Sequence, residues 1–339
     1  MDQQTMPTPA RTQTASPALV WLAILILYVV WGSTYLGIRI AIESIPPFVM
    51  ASTRFLIAGV VMLAAVVIVR RRSIVLPSAV EIRDCFVVGA LLMGGGMGAV
   101  AWGEQTVPSG IAALLIALMP AWVAVYGRVF FHDRLPLAAG LGIGVGMAGV
   151  AILVGPSIVM QGEGSLDPAG VAALLFSPMS WAAGSVFAAR RARLPHDPFI
   201  TTSLQMLSGA LVLGLLGLAV GEFATFDPAA VTSSSLAALA YLTIAGSLIA
   251  FTAYAWVLRH APLPLIATYA FVNPVVAVVL GALILNETVT PLQVLAGAVI
   301  VVGVALIIWS RSRMTSSEPA ATLAAAAQRD EDEVQPTAA

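Results

Sequence analysis

The chain has 339 residues, 59% of them hydrophobic and only 10% charged, with a formal net charge of -1. Soluble domains average roughly 25% charged residues, so this composition excludes a water-soluble globular protein and points to one embedded in lipid. The single cysteine, Cys85, excludes an intramolecular disulfide and a cysteine-cluster metal site.

Apolar stretches recur along the chain, each long enough to cross a hydrocarbon core about 30 Å thick as a helix. Hydropathy places them at 18–38, 47–69, 85–102, 109–131, 136–154, 169–189, 198–220, 236–257, 262–285 and 291–310. The expected fold is therefore all-α, with ten transmembrane helices. The polar leader at 1–17 reads as a disordered cytoplasmic segment. It is not a cleaved signal, because the apolar run continues past Trp31 without an A-x-A site. The segment 311–339 is Ala-rich and then acidic, too poor in apolar surface to pack, and reads as a disordered cytoplasmic tail.

All sixteen basic residues are arginines. With both termini in the cytoplasm, Arg70, Arg71, Arg72, Arg83, Arg134, Arg190, Arg191, Arg193, Arg259, Arg311 and Arg313 fall on cytoplasmic connections, as the positive-inside rule requires. The outer connections carry Glu43, Glu104, Glu163, Asp167, Glu222, Asp227 and Glu287. Arg39 dissents near the outer end of helix 1, where Glu43 stands four residues on as a helical partner.

The halves repeat. At an offset of 154, Trp102 falls on Trp256, Pro108 on Pro262, Pro120 on Pro274 and Gly127 on Gly281; at an offset of 150, Trp31 falls on Trp181. The repeats are 18–154 and 169–310, joined by an external linker at 155–168. Five helices is an odd number, so the second copy enters the membrane from the opposite side. Two inverted five-helix repeats are a recurrent transporter architecture. The same reading explains why His132-Asp133-Arg134 becomes Asn286-Glu287-Thr288: one corner lies inside, its twin outside.

In chain order, helix 1 carries Trp31, Ser33, Thr34 and Tyr35, a polar and aromatic patch within an apolar span. Its hydroxyls either bond nearby carbonyls or face a pathway. Helix 2 carries Arg54, which lies roughly 10 Å below the helix end at 1.5 Å per residue. Such a charge must face protein or water, either to attract a substrate carboxylate or to tie helix ends through carbonyls, Glu43 or Glu104. Its repeat counterpart is Gln205 on helix 7. Trp102 and Trp256, near the ends of helices 3 and 8, fit an interfacial anchor or a cavity wall equally. Pro120 on helix 4 and Pro274 on helix 9 each free a carbonyl one turn earlier, with Tyr269 and Asn273 on one face beside the second. Helix 6 adds Trp181 and Ser185 to Pro178 and Ser180. Helices 5 and 10 read as scaffold; the Gly140/Gly144 and Gly142/Gly146 spacings permit close contact, within the protomer or across a homodimer.

No Asp or Glu lies mid-span, and His132, His196 and His260 all lie at loops, so an intramembrane enzyme lacks its acids, base and metal ligands. Neither a cofactor nor nucleic-acid binding is expected; the partners are the lipid bilayer and a small-molecule substrate.

"WGSTYLGIRIAIESIPPFVMASTRFLIAG" and "LNETVTPLQVLAGAVIVVGVALI" resemble the opening and closing segments of the EamA branch of the drug/metabolite transporter superfamily, nearest the YedA-like inner-membrane permeases. The resemblance covers roughly residues 18–310. It implies export of small organic solutes, amino acids or related amphipathic compounds and drugs, through a cavity lined mainly by helices 1, 3, 4, 6, 8 and 9. Its patterns correspond here to Trp31-Gly32-Ser33, Arg54, Pro120, Pro274 and Glu287. A non-transporting structural or sensory membrane protein is the alternative.

Overall fold

The computed structural model describes residues 16–69, 75–159 and 166–310. Most of the leader, the Arg70-Arg71-Arg72 corner, residues 160–165 of the linker and the tail from 311 lie outside the described residues.

The chain forms helices α1 (Pro17–Ala41), α2 (Pro47–Val69), α3 (Ala79–Gly103), α4 (Ser109–Phe131), α5 (Leu137–Val159), α6 (Pro168–Arg190), α7 (Pro198–Ala219), α8 (Ser233–Val257), α9 (Tyr269–Ile284) and α10 (Pro291–Ser310). Among the described residues, nine are long and apolar enough to cross a membrane, and α9 is a shorter apolar helix. Their starts are written locally. Ser16, Asp167, Asp197 and Thr232 each accept a bond from a backbone amide of the first turn. Proline follows three of them, where its missing N–H costs nothing. At α3, Ser78 and Glu81 form a reciprocal capping box.

Two spans are interrupted. α4 consists of Ser109–Ile116 and Met119–Phe131, separated by a turn at Ala117–Leu118 just before Pro120. The span expected to run unbroken from 262 to 285 is split into a single turn, Leu263–Ile266, and α9, with the break at Ala267–Thr268. Proline is not its immediate cause, since Pro274 sits inside α9 more than a turn later. Thr268 Oγ1 donates to the Leu265 carbonyl and bonds the Tyr28 hydroxyl at 2.5 Å, offering the backbone an alternative to the helical ladder. Three further spans contain wide π-helical turns, at Leu27–Trp31 in α1, Ala90–Met97 in α3 and Leu242–Ile249 in α8.

Helices from the two halves interleave. α2 packs along α7, α1 against α8 and α9, α3 against α6 and α7, α4 against α6 and α9, and α2 against α8. Buried Phe55, Met93, Leu115, Leu174, Met206, Leu213 and Leu242 fill the seams. Outward faces stay apolar, with Leu56, Val60, Leu211, Leu215 and Leu218 exposed, as a lipid-facing surface requires.

α5 and α10 cross closely. A Cβ on Gly303 would stand 2.5 Å from the Gly146 nitrogen and 2.6 Å from the Gly142 carbonyl, whereas Gly140 and Gly144 have open space. Of the two glycine spacings, then, only Gly142/Gly146 makes the intramolecular contact. Gly303→Val should lower the thermal unfolding midpoint of the purified protein by an amount equivalent to about 1–3 kcal/mol, the usual cost of forced overpacking. Gly144→Ala, with open space for its Cβ, should not lower it and should raise it slightly, by an amount equivalent to at most about 1 kcal/mol.

Candidate functional site

The helix interruptions meet at one place. A cavity of about 120 Å³ lies among α1, α2, α3, α4, α6, α8 and α9. Trp31, Thr34 and Tyr35 reach it from α1, Arg54 from α2, Pro120 from α4, Trp181 from α6, and Tyr269, Asn273 and Pro274 from α9.

Trp31 is its fixed wall. Its ring lies 5.1 Å from Tyr269 and 5.5 Å from Phe251, both edge-on, and 5.2 Å from Tyr254, centroid to centroid. Its indole Nε1 donates to the Gly246 carbonyl at 3.3 Å, so stacking and hydrogen bonding together set the ring's orientation. Arg54, 3% exposed, donates through Nε to Ser247 Oγ at 2.9 Å and lies 4.9 Å over the Phe55 ring. With its amide nitrogen turned toward them, Asn273 donates to the carbonyls of Tyr269 (3.2 Å) and Tyr28 (3.3 Å).

Five of the residues singled out in the sequence do not line the cavity. Ser33 is buried and donates to the Val29 carbonyl at 2.7 Å while bonding the Tyr241 hydroxyl at 2.5 Å, so its hydroxyl is engaged within α1 and with α8. Gln205 is buried on α7, where its backbone lies against Gly89 of α3. Ser185 is half-buried on α6, a turn beyond Trp181. Trp102 is half-buried at the end of α3, and Trp256 stacks on His260 at 4.2 Å. Sequence reasoning missed Phe55, Met97, Ile116, Met119, Ser177, Phe251 and Ala270, which together with Val100, Ala113 and Ala117 complete the lining. The repeat held a signal for five of these missed positions: at an offset of 154, Met97 pairs with Phe251, Ile116 with Ala270 and Met119 with the already expected Asn273.

Charged residues gather where the start of α4 meets the corner after α9. Glu287 accepts from the Ser109 amide and hydroxyl, both at 2.9 Å, and from the Gly110 amide at 3.2 Å. A carboxylate here caps the start of α4, where the helix dipole favours negative charge. Beside it, Arg39 donates to the carbonyls of Glu104 and of Gln105, the latter at 2.8 Å, in place of the Glu43 partner expected from helical spacing. The Glu104 side chain, just past the end of α3, is fully buried, and neither carboxylate oxygen has a hydrogen-bond partner. Burial, reinforced by the negative charge of Glu287 and opposed by Arg39, holds its carboxyl well above the ordinary range near 4.5.

Because folding raises this pKa, the folded chain binds the proton more tightly than the unfolded one. The resulting stability is fully present below about pH 4.5 and is lost as pH rises toward the folded-state value. Glu104→Gln removes the dependence. In thermal unfolding, the variant should match wild type near about pH 5 and exceed it near about pH 8; a constant offset across that range would contradict a neutral Glu104.

A family model described as the EamA-like transporter family matches this chain twice, over residues 18–155 and 168–309. The inner membrane transporter YedA of Escherichia coli is 37% identical over 288 residues, covering 84% of this chain and 89% of its own. A probable amino-acid metabolite efflux pump of Salmonella typhimurium is 25% identical over 296 residues, covering 83% and 91%. A solved crystal structure, 22% identical, superposes with a TM-score of 0.58 over 88% of this chain and 99% of that one.

Proposed function

Because the chain belongs to the EamA-like transporter family, as a transmembrane transporter, we propose that it exports a small, partly apolar organic metabolite across the inner membrane by alternating access. The observation that carries this reading is the cavity wall. It is built from repeat-related pairs, Trp31 with Trp181, Met97 with Phe251, Ile116 with Ala270, Met119 with Asn273 and Pro120 with Pro274. A site lined in equivalent pairs can be offered to either side by rocking one half against the other.

In this reading ten helices form two inverted five-helix repeats with both termini in the cytoplasm. The interleaved packing supports it, since each contact between the halves has a counterpart with the halves exchanged: α1 on α8 answers α3 on α6, and α1 on α9 answers α4 on α6. The Glu287 cap on α4 closes the outer end. Amino acids, related amphipathic compounds and drugs are the substrate classes to test, with support from the efflux pump of Salmonella typhimurium. Inner-membrane placement has its support in the relative from Escherichia coli.

The native chain holds one cysteine, buried Cys85, so introduced thiols can be followed in a Cys85→Ala background. Arg134→Cys and Thr288→Cys, both at exposed positions, should react with a membrane-impermeant maleimide from opposite faces of oriented vesicles. Reaction from the same face would remove the inversion. Proteoliposomes should release preloaded labelled amino acids or aromatic metabolites faster than empty liposomes; folded protein with no flux for any of them would remove the transport role.

A further inference from the structure

We infer that the cavity's natural ligand is an organic anion, a carboxylate on an apolar or aromatic body, held through its charge by Arg54. This deepens the transport reading above and rests on it. Arg54 lies seven residues into α2, roughly 10 Å below the helix start, and is 3% exposed. A guanidinium does not lose its proton in a protein, so this charge cannot be neutralised by titration. Among the described residues no carboxylate forms an ion pair with it, and of its five N–H donors only Nε has a hydrogen-bond partner, the neutral hydroxyl of Ser247. An arginine that merely tied helices together would have its fork filled by carbonyls or an acid. This one is left open to the cavity it lines.

The surroundings are shaped for the fork. Gly246 stands where a Cβ would come within 3.1 Å of Nη2, so the absence of a side chain there leaves the guanidinium its place. Among the described residues the cavity wall has no Asp, Glu or His to balance the charge from within. A buried charge without a counter-ion is costly in low dielectric, and the occupant that removes the cost is an anion. Carboxylate is the anion whose two oxygens match the fork. The rest of the wall sets the body: Trp31, Phe251, Trp181 and Tyr269 present rings, and among the described lining residues there is no second cation for a polyanion. A cationic solute would place like charges together inside the site.

The test uses the full-length purified protein and three probes: 3-phenylpropanoate, its uncharged amide 3-phenylpropanamide, and acetate. Thermal shift should show stabilisation by phenylpropanoate at concentrations about tenfold or more below those needed for the amide, the ratio expected of a charge-assisted pair. Acetate, lacking the apolar body, should be far weaker than phenylpropanoate. Arg54→Gln should erase the preference for acid over amide, and Arg54→Lys should keep part of it, as a point charge without the fork. Equal or better stabilisation by the amide, stabilisation by acetate matching that of phenylpropanoate, or no effect of phenylpropanoate would each overturn the inference in wild-type protein, whether or not Arg54→Gln folds. Flux separates the two readings. Proteoliposomes that carry the amide but neither bind nor carry the acid sink the anion and leave transport standing; acid binding without flux of any solute sinks transport.

Discussion

In hydrocarbon a backbone carbonyl has no water to bond, and each one left unpaired costs several kcal/mol, so a membrane helix is broken only where something else takes its place. This constraint organises the molecule. The π-helical turn of α3 loosens the ladder between Ala90 and Met97, and α6 answers it: Ser180 donates to the Leu91 carbonyl at 2.7 Å and Ser177 to the Gly96 carbonyl at 2.8 Å. In α8 the wide turn leaves the Gly246 carbonyl to the Trp31 indole. In α1 Ser33 takes Val29, Thr34 takes Trp31 at 2.6 Å and Asn273 takes Tyr28. The polar side chains of these apolar spans are thus mainly the partners of displaced backbone. Where the ladder is opened by Pro120 and Pro274, the freed carbonyls one turn earlier belong to Ile116 and Ala270, and both residues line the cavity.

The two corners that differ in sequence share a backbone. His132 and Asn286 are the non-glycine residues with positive φ among those described, 57° and 54°. The next residue's amide donates back to Gly127 in one corner and Gly281 in the other, each at 3.1 Å. The acid that follows folds over that glycine, with Asp133 Oδ2 2.7 Å and Glu287 Oε2 2.5 Å from where a Cβ would stand. What differs is the partner. Asp133 meets Arg190 at 2.8 Å, while Glu287 meets the amides of α4. The repeat therefore preserves the geometry of the turn and changes the charge it answers.

Much of this was legible because the chemistry is conspicuous against an apolar background. Arg54, Trp31, Tyr269 and Asn273 stand out in spans that are otherwise Leu, Val and Ala, and the cavity gathers them. Pro120 and Pro274 were found by their spacing. Ser33 stands out in the same way but does not line the cavity, since a hydroxyl in a helix can bond its own backbone and a sequence does not say which it will do; Gln205 is buried on α7, away from the cavity wall. The apolar wall residues were hidden for the opposite reason: Met97, Ile116 and Phe251 look like any lipid-facing or core side chain. The π-helical turns gave no periodicity signal, and Arg39 found carbonyls two helices along the chain, just past α3, where helical spacing pointed to Glu43.

The charged cluster at the start of α4 combines opposed contributions, which under the proposed alternating access would bear on how that end opens. The bonds from Glu287 to Ser109 and Gly110 would be exchanged for water on opening, so each contributes only about 1–3 kcal/mol net. Glu104 works the other way. Its carboxyl is buried without a partner, and opening would return it to water, where it ionises freely. Protonation removes that drive, and ionisation restores it, strengthened by the negative charge of Glu287 and weakened by Arg39. The end of the bundle nearest α4 is therefore poised by two carboxylates with contrary effects, one that gains from closure through the helix start it caps and one that loses by it. Under the alternating-access reading proposed above, such opposed contributions would narrow the difference between the closed and open forms, which a ligand with differential affinity for the two could then shift.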